Sequence, residues 1–415
     1  MYIYRTLGNG IRVVAENVEY AEAVSLGVWV GNGSRCENKS ESGISHFIEH
    51  MVFKGTFKRS AKDIALEMDS VGGNINAFTT RENTCFYAKT LAEHIDTSMD
   101  ILADMVFEPR LSKEDMELER RVVLEEIAMY EDSPEDVVYD LFTKAVWGDT
   151  SMGRPILGEE EALFSITPES MREYMKSHYT SKSIVIAAVG KLSEDFFDKM
   201  EKYFGGRTVS DNAVGFEPAV YVPTRVTAER DFEQIQLVIG FNGIDVMDES
   251  VYSLLVFNNI FGSGMSSRLF QNIREKHGLV YSIGAGHSAY MGTGTFDILA
   301  ATTPENLEQV SELIEAEIKK IKEIPLSDDE IHRAKVQLRG NYILSGEGIS
   351  SRMQAIGRAA LLDRPLRSRE EILGKINAVN RSSIEEVMHR ILDEKTLSVA
   401  ATGPIKSVNG LFMGL

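Results

Sequence analysis

The chain has little cysteine, no long hydrophobic run and a deficit of positive charge. Only Cys36 and Cys85 occur in 415 residues, which is too few for a zinc site built from cysteines or for a disulfide framework. No apolar stretch reaches the length needed to span a bilayer, and the N-terminal residues contain no apolar core of a secretory signal. The sequence therefore predicts a reduced, cytoplasmic protein with no membrane partner.

The net charge further restricts the classes of molecule that the chain is expected to bind. The chain has 63 acidic and 44 basic residues, a formal net charge of −19, which argues against nucleic acid or an anionic surface as partner. An acidic protein attracts cationic ligands, although acidity also serves solubility alone. The composition, 43% hydrophobic and 26% charged, is typical of a globular protein, and the length indicates two domains.

The most informative stretch is the motif His46-Phe47-Ile48-Glu49-His50. If it is helical, its apolar stripe consists of Ile44, Phe47, Ile48, Met51 and Val52. His46, Glu49 and His50 then point away from that stripe. Two imidazoles one turn apart can bind one metal ion, and the carboxylate beside them can take a proton from a bound water. The alternative is the polar face of an ordinary amphipathic helix, because short motifs also match by chance.

A second informative helix is predicted from Ser112, its N-cap, to about Tyr130. Its inner face is expected to carry Val122, Val123 and Met129. Glu119 and Glu126 lie in register at the border of that face, and Glu125 is expected to be solvated. Two carboxylates beside a buried stripe are costly unless they are paired or bound to a cation. The alternative is that both simply extend to solvent.

The second half of the chain repeats the pattern of the first. Strand and helix segments recur 211 to 215 residues later, as residues 24–30 and 235–241 illustrate, which indicates a tandem duplication of one α+β unit. We predict a catalytic N-terminal domain at residues 1–208, a linker at 209–224 and a C-terminal domain of the same fold at 225–415. The linker contains glycine and proline and has no clear periodicity.

The second copy has lost the polar residues of the motif. At an offset of 211, Phe257, Ile260 and Phe261 replace the two histidines and the glutamate, and at an offset of 215, Ala334 and Asn341 replace the two helix carboxylates. Apolar residues occupy a helix face when nothing requires polarity there. Because the first copy keeps all five polar residues, the contrast favours a functional site over an ordinary surface helix.

At this point the sequence resembles a known family. The segment 43–56 is similar to the zinc motif of the pitrilysin/insulinase metallopeptidases (inverzincins), in particular the β-subunit of the mitochondrial processing peptidase and its bacterial relatives. Segments 153–158 and 274–282 match the family as well, and the resemblance covers essentially the whole chain. It implies an α+β fold of two tandem homologous domains, each a largely antiparallel sheet with helices packed against it, as in the processing peptidases.

The resemblance also implies a zinc metalloendopeptidase. One zinc ion per chain would be bound by His46, His50 and Glu126, which here follows His50 by 126 − 50 = 76 residues. Glu49 would act as the general base. Glu119, seven residues before Glu126, would accept a hydrogen bond from a ligand imidazole and orient it.

Two further groups of residues take roles from the resemblance. Arg274 and Tyr281 correspond to the pair that anchors substrate and stabilises the developing oxyanion; from the residues alone they could equally be ordinary surface and core positions. An exposed edge strand would receive the peptide by main-chain pairing, and the candidate is Asn74, Ile75, Asn76, Ala77 and Phe78. A plain interior strand is the alternative.

The family architecture predicts the assembly and the substrate. Two halves of two domains each close around a chamber, and one chain supplies one half, so we expect a homodimer. Arg274 and Tyr281 would then act on the zinc site of the partner chain. A closed chamber admits short or unfolded peptides, and the acidic charge suggests a preference for basic residues near the cleaved bond.

Two other functions compete with this interpretation. One is a non-catalytic peptide-binding or scaffold subunit of the same fold, and the other is a zinc hydrolase acting on something other than peptides. The retention of all five polar residues in the first copy favours the peptidase.

Overall fold

The alternating apolar segments of the first half form one mixed sheet. In the computed structural model, which describes residues 2–213 and 215–415, its strands are β1 (Tyr2–Thr6), β2 (Arg12–Asn17), β3 (Ala23–Val30), β4 (Asn74–Thr79), β5 (Thr84–Leu91) and β6 (Ile184–Gly190). They are ordered β1-β2-β6-β3-β5-β4. β2 and β6 run parallel, whereas all other neighbours in this sheet are antiparallel. The largely antiparallel sheet is confirmed, and β4 lies at its edge.

Three helices of the first half begin at a residue whose side chain caps the first turn. The helices of this half are α1 (Ile44–Val52), α2 (Ala61–Ser70), α3 (Ile95–Phe107), α4 (Lys113–Glu131), α5 (Pro134–Trp147), α6 (Glu160–Ser165), α7 (Pro168–His178) and α8 (Phe196–Met200). Ser60 and Thr167 form capping boxes with the third residues of α2 and α7. The hydroxyl of Ser112 accepts the backbone N–H of Asp115 at 3.1 Å. The predicted helix start at Ser112 is therefore confirmed.

The second half repeats this architecture. Its strands are β7 (Arg225–Glu229), β8 (Ile235–Asn242), β9 (Val280–Tyr290), β10 (Thr293–Thr302) and β11 (Ser398–Gly403). Its helices are α9 (Val251–Phe261), α10 (Leu307–Glu323), α11 (Asp328–Ser345), α12 (Ile349–Leu361), α13 (Arg369–Ala378) and α14 (Arg381–Ile391).

The strand order of the second sheet confirms the duplication. The order β7-β11-β8-β10-β9 matches β2-β6-β3-β5-β4 strand for strand, and β7 and β11 are again the parallel pair. Only β1 has no counterpart among the described strands of the second sheet. Within the described parts of the chain, none of the helices is both long enough and apolar enough to cross a membrane.

Each sheet is covered on one face by a helix from the other half of the chain. α12 packs on β3 and β6, and α5 packs on β8 and β11. A methyl group at Gly27 of β3 would lie 2.5 Å from the sulfur of Met353 on α12, and one at Gly240 of β8 would lie 2.2 Å from the ring of Phe142 on α5. The missing side chains let each helix approach its sheet closely.

The compact units therefore differ from the segments predicted from sequence. One unit comprises residues 1–127, 154–217 and 344–368, and the other comprises 128–153, 218–343 and 369–415. The predicted domains, 1–208 and 225–415, do not include this exchange of helices, because hydrophobic periodicity shows that a helix has a buried face but not which sheet buries it.

The predicted linker, residues 209–224, contains no helix or strand in its described part. Val214 lies outside the described residues, as does Met1.

Candidate metal centre

Helix α1 separates its apolar and polar residues as predicted. The stripe of Ile44, Phe47, Ile48, Met51 and Val52 is fully buried, each side chain being at most 1% exposed. Because successive residues turn by about 100°, His46, Glu49 and His50 leave the helix on the other side. His46 is nevertheless buried, and Glu49 and His50 are half-buried. The polar side of α1 is therefore largely shielded from water.

Helix α4 buries a different stripe from the one predicted. Val122 and Met129 are 48% and 71% exposed, so their assignment to the inner face is wrong. The buried side chains are instead Met116, Glu119, Arg120 and Val123. These four positions follow the 3.6-residue period and include Val123, the residue of the predicted inner face that is buried. They also include an arginine, which apolar periodicity does not assign to a buried face. Arg120 is satisfied by the backbone carbonyls of Leu163 and Ile166.

The two carboxylates of α4 reach the polar side of α1. Glu119 is 5% exposed and Glu126 is half-buried, so neither simply extends to solvent. Glu125 is exposed, as expected.

Three ligand atoms converge between α1 and α4. Nε2 of His46 lies 3.1 Å from Nε2 of His50. An Oε2 oxygen of Glu126 lies 3.6 Å from the first nitrogen and 3.4 Å from the second. Within the described ranges, this is the group of His, Cys, Asp and Glu side chains placed to hold a metal ion.

These spacings fit a tetrahedral zinc ion. Zinc binds nitrogen and oxygen ligands at 2.0 to 2.2 Å, and tetrahedral angles then separate two ligand atoms by about 3.3 Å. The observed separations, 3.1 to 3.6 Å, bracket this value. Lone pairs of two nitrogens and a carboxylate repel one another at such distances unless a cation lies between them. The donor set of His46, His50 and Glu126 therefore suits zinc.

Glu119 determines which nitrogen of His50 is available. Its Oε1 accepts from Nδ1 of His50 at 2.9 Å, and its Oε2 pairs with the ammonium of Lys54. A protonated Nδ1 leaves the lone pair on Nε2, which is the atom that faces Glu126. The buried carboxylate is in turn neutralised by Lys54, just beyond the end of α1.

His46 is held in the neutral state by its surroundings. Burial, with a smaller contribution from the neighbouring His50, lowers the pKa of His46 to about 3, so the ring is uncharged at neutral pH. A neutral imidazole is the form that binds a metal.

The carboxylate of Glu49 lies beside this cluster and contacts strand β4. The hydroxyl of Thr79 donates to Oε2 of Glu49 at 2.5 Å. Burial raises the pKa of Glu49, the nearby Glu126 raises it further, and the bond from Thr79 opposes the rise. A carboxylate whose pKa is raised accepts and releases protons more readily near neutral pH.

A buried carboxylate anchors the first turn of α1. Glu37 accepts the backbone N–H groups of Gly43 at 2.7 Å and Ser45 at 2.9 Å, which have no partner inside the helix. Burial raises the pKa of Glu37 to about 7, whereas the N–H donors and the charge of Arg154 act in the opposite direction. The negative charge also complements the helix dipole.

The glycine segment 153–158 packs against the same turn. Arg154 donates to the backbone carbonyl of Glu37 at 2.5 Å. Gly43 has φ = 89°, and a methyl group at Gly158 would lie 2.5 Å from its Cα atom. Only glycine permits this approach, which explains physically why the segment 153–158 accompanies the histidine motif.

The predicted substrate strand is a sheet edge. Residues 74–78 belong to β4, which pairs with β5 on one side and ends the strand order of its sheet. Asn74 and Asn76 are exposed, and Ile75, Ala77 and Phe78 are half-buried. The edge position disfavours the alternative of a plain interior strand. A peptide pairing with β4 would run past Thr79 and the Glu49 carboxylate.

Arg274 and Tyr281 belong to the other compact unit. Arg274 lies on a turn of π-helix, Phe270–Lys276, with its guanidinium 4.7 Å from the centre of the Phe270 ring. Tyr281, near the start of β9, is 76% exposed. Neither side chain is a buried core residue.

The apolar counterparts of the motif in the second half are packed as core. Phe257 and Phe261 are fully buried and stack with ring centres 5.4 Å apart. Ile260 and Ala334 are buried as well, whereas Asn341 is exposed. The second copy therefore fills with hydrocarbon the space that holds imidazoles in the first.

Three residues of the site were not foreseen from sequence. Thr79 contacts α1 from 30 positions along the chain, whereas Glu37 lies in the loop just before α1, where no helix or strand pattern singles it out. Lys54 could have been found, because it follows His50 by four residues and one further helical turn places it on the same side.

Comparisons with known proteins match both halves of the chain to described families. Residues 12–160 match the family described as Insulinase (Peptidase family M16), and residues 165–338 match the one described as Peptidase M16 inactive domain. A relative from Bacillus subtilis, named "Uncharacterized zinc protease YmxG", is 41% identical over 389 residues, covering 94% of this chain and 95% of the relative. An "Uncharacterized zinc protease" from Rickettsia felis is 36% identical, with 96% of each chain covered.

Solved structures share the fold. A protease from Helicobacter pylori superposes with a TM-score of 0.91 at 20% identity, covering 97% of this chain and 99% of that one. A peptidase M16 inactive domain from Pseudomonas fluorescens superposes with a TM-score of 0.90 at 18% identity, covering 98% of both chains. At this level of identity the likeness concerns the fold alone.

Proposed function

Because the chain belongs to the insulinase family of zinc peptidases, peptidase family M16, we propose that it is an endopeptidase whose zinc is held by His46, His50 and Glu126. The observation that carries this proposal is the convergence of three ligand atoms, 3.1 to 3.6 Å apart, beside the carboxylate of Glu49. The chain is a zinc-dependent peptidase by family, and the residue roles that follow are our proposal.

Zinc, Glu49 and Glu119 have separate roles in the proposed mechanism. Bound zinc supplies a Lewis acid that acidifies a water molecule and polarises the peptide carbonyl. Glu49 accepts the proton of the attacking water on its carboxylate and passes it to the nitrogen of the leaving amine. Glu119 keeps the proton of His50 on Nδ1, so that Nε2 stays available.

The substrate is an extended peptide in this proposal. Strand β4 offers the main-chain donors and acceptors of residues 74–78 on its free side, and pairing there is tolerant of sequence. Only a segment that can become extended pairs in this way, so short or unfolded peptides are preferred over folded proteins. The net charge of −19 favours peptides with basic residues.

The proposed assembly is a homodimer that encloses the site in a chamber. Arg274 and Tyr281 would anchor the peptide and stabilise the oxyanion at the zinc site of the partner chain. The exposed position of Tyr281 is compatible with such a role.

The substitution Glu49→Gln tests the proposed base. We expect the variant to bind zinc with wild-type stoichiometry and to cleave an unfolded basic peptide at least about 100-fold more slowly, because general-base catalysis contributes about that much or more. Zinc is measured by elemental analysis and cleavage by mass spectrometry of the products. Glu125→Gln, which changes an exposed glutamate of α4, is the matched control and should retain full activity.

The same experiment separates the peptidase from its alternatives. Cleavage that persists unchanged in Glu49→Gln would remove Glu49 from the mechanism. A wild-type chain that binds zinc and unfolded peptides but releases no products would instead be a peptide-binding or scaffold subunit.

A further inference from the structure

Strand β4 ends at a side chain that contacts the proposed base. Thr79 is the last residue of β4, and its hydroxyl lies 2.5 Å from Oε2 of Glu49. The two residues are 30 positions apart in the chain and belong to different elements. Because an ionised carboxylate has no proton to give, the hydroxyl must be the donor.

We propose that Thr79 is a positioning residue for the hydrolytic step: its hydroxyl fixes the orientation of the Glu49 carboxylate. This inference rests on the proposed function, in which Glu49 is the general base.

The geometry explains why Glu49 needs such a partner. The terminal torsion of a glutamate is broad, and α1 itself provides no bond to this carboxylate in the described structure. A charge-assisted hydrogen bond to Oε2 restricts that torsion and leaves the second oxygen for proton transfer. A base must lie within hydrogen-bond reach of the proton it abstracts. Fixing one oxygen therefore determines where the other lies.

The backbone fixes Thr79 in turn. Thr79 pairs with Thr84 of β5 in the sheet register, and the two hydroxyl oxygens lie 3.4 Å apart. The hydroxyl of Thr84 is buried and donates to the backbone carbonyl of Asn32 at 3.0 Å. The proton of Thr84 is thus committed elsewhere, and its oxygen could only accept from Thr79. Because that oxygen lies at 3.4 Å and Oε2 of Glu49 at 2.5 Å, the hydroxyl of Thr79 donates to the charged carboxylate.

The placement also connects peptide binding with the base. Residues 74–78 are the proposed pairing strand, and Thr79 directly continues it. A peptide paired with β4 would hold that strand, and with it Thr79, in a single arrangement. We therefore place the effect of Thr79 on the rate of the bound complex and not on peptide affinity.

The substitutions Thr79→Val and Thr79→Ser test this inference as a pair. Valine keeps the branched shape and strand preference but lacks the hydroxyl, whereas serine keeps the hydroxyl. We expect Thr79→Val to lower kcat by about 10-fold or more, as loss of a hydrogen bond to a charged group does, with KM changed by less than about twofold. Thr79→Ser should recover most of kcat. Zinc content and the unfolding temperature should stay at wild-type values in both.

A matched control distinguishes positioning from general stability. Thr90→Val removes the buried hydroxyl of a different threonine in the same sheet, one that bonds Ser98 at 3.0 Å, and should leave kcat unchanged. Combined with Glu49→Gln, Thr79→Val should cause no further loss of cleavage, because residues that act as a unit are not additive.

The possible failures are distinguishable. If Glu49→Gln is inactive but Thr79→Val keeps wild-type kcat, the role of Thr79 is refuted and the proposed function stands. If Thr79→Val loses zinc or unfolds at lower temperature in proportion to its lost activity, or if serine fails to restore kcat, the hydroxyl is structural and the inference is overturned. If Glu49→Gln remains active, the proposed function itself fails first.

Discussion

Each ring nitrogen of His50 faces the carboxylate of a glutamate on α4. Nδ1 bonds Glu119 at 2.9 Å, and Nε2 faces the carboxylate of Glu126. His46 differs, because its Nδ1 is buried and has no hydrogen-bond partner among the described residues. The two imidazoles therefore depend on different forces: burial places His46, whereas a specific hydrogen bond orients His50. Substituting a residue that hydrogen-bonds to His50 should therefore weaken zinc binding more selectively than substituting a residue that packs around His46.

The substitution Glu119→Gln tests that dependence. Removing the charge of a carboxylate that orients a ligand histidine typically weakens metal binding about 10- to 100-fold, and we expect a loss of this size here. Zinc affinity is measured by competition with a chromophoric chelator, with Glu125→Gln as the control. Unchanged affinity in Glu119→Gln would show that Glu119 does not orient His50.

At the scale of elements, the sequence predicts what is local and misses what is not. The stripe at positions 44, 47, 48, 51 and 52 and the N-cap at Ser112 follow from periodicity and capping, which adjacent residues determine. The edge position of the strand from Asn74 came from the family resemblance. The contact of Thr79 with Glu49, and the burial of Arg120 against the carbonyls of Leu163 and Ile166, join residues 30 or more positions apart in sequence. No single-sequence pattern encodes such contacts, so they required the folded structure.

The packing of α12 and α5 on a sheet of the other half of the chain was likewise not predictable from the sequence. The contact of α12 with β3 supports a prediction about packing. A methyl group at Gly357 of α12 would lie 2.2 Å from Nε1 of Trp29 on β3. Overpacking of a filled core costs about 1–3 kcal/mol, so Gly357→Ala should lower the unfolding temperature.

A methyl group at Gly374, in the interior of α13, has no atom within 4 Å. Gly374→Ala should raise stability by about 0.5–1 kcal/mol.

Thermal unfolding followed by circular dichroism measures both glycine variants. Equal stability of Gly357→Ala and the wild type would mean that α12 does not lie as close to β3 as the structure places it.

At the scale of the whole molecule, the two duplicated copies differ: the first has the polar residues of the candidate metal site, and the second does not. The two sheets share their strand order, yet the first copy carries the proposed zinc ligands and the second carries Phe257 and Phe261 in place of the two histidines. The second copy is then free to serve substrate binding, through Arg274 and Tyr281 in our proposal. In a homodimer, the first copy of each chain would meet the second copy of the other chain.

Mixing two inactive variants tests this arrangement. If Arg274 acts on the zinc site of the partner chain, a heterodimer of a Glu49→Gln chain and an Arg274→Ala chain contains one complete site. We expect peptide cleavage to reappear when the two variants are mixed and allowed to exchange subunits. No recovery, in a mixture whose exchange is verified by mass spectrometry, would mean that Arg274 serves its own chain or takes no part.

The measurement that tests the central claim most directly is the position of zinc in a crystal of the zinc-loaded protein, located by anomalous scattering at the zinc edge. The claim predicts one strong peak per chain, about 2.0–2.2 Å from Nε2 of His46, from Nε2 of His50 and from a carboxylate oxygen of Glu126. A peak bound elsewhere, with Glu126 turned away from both imidazoles in an active preparation, would contradict it.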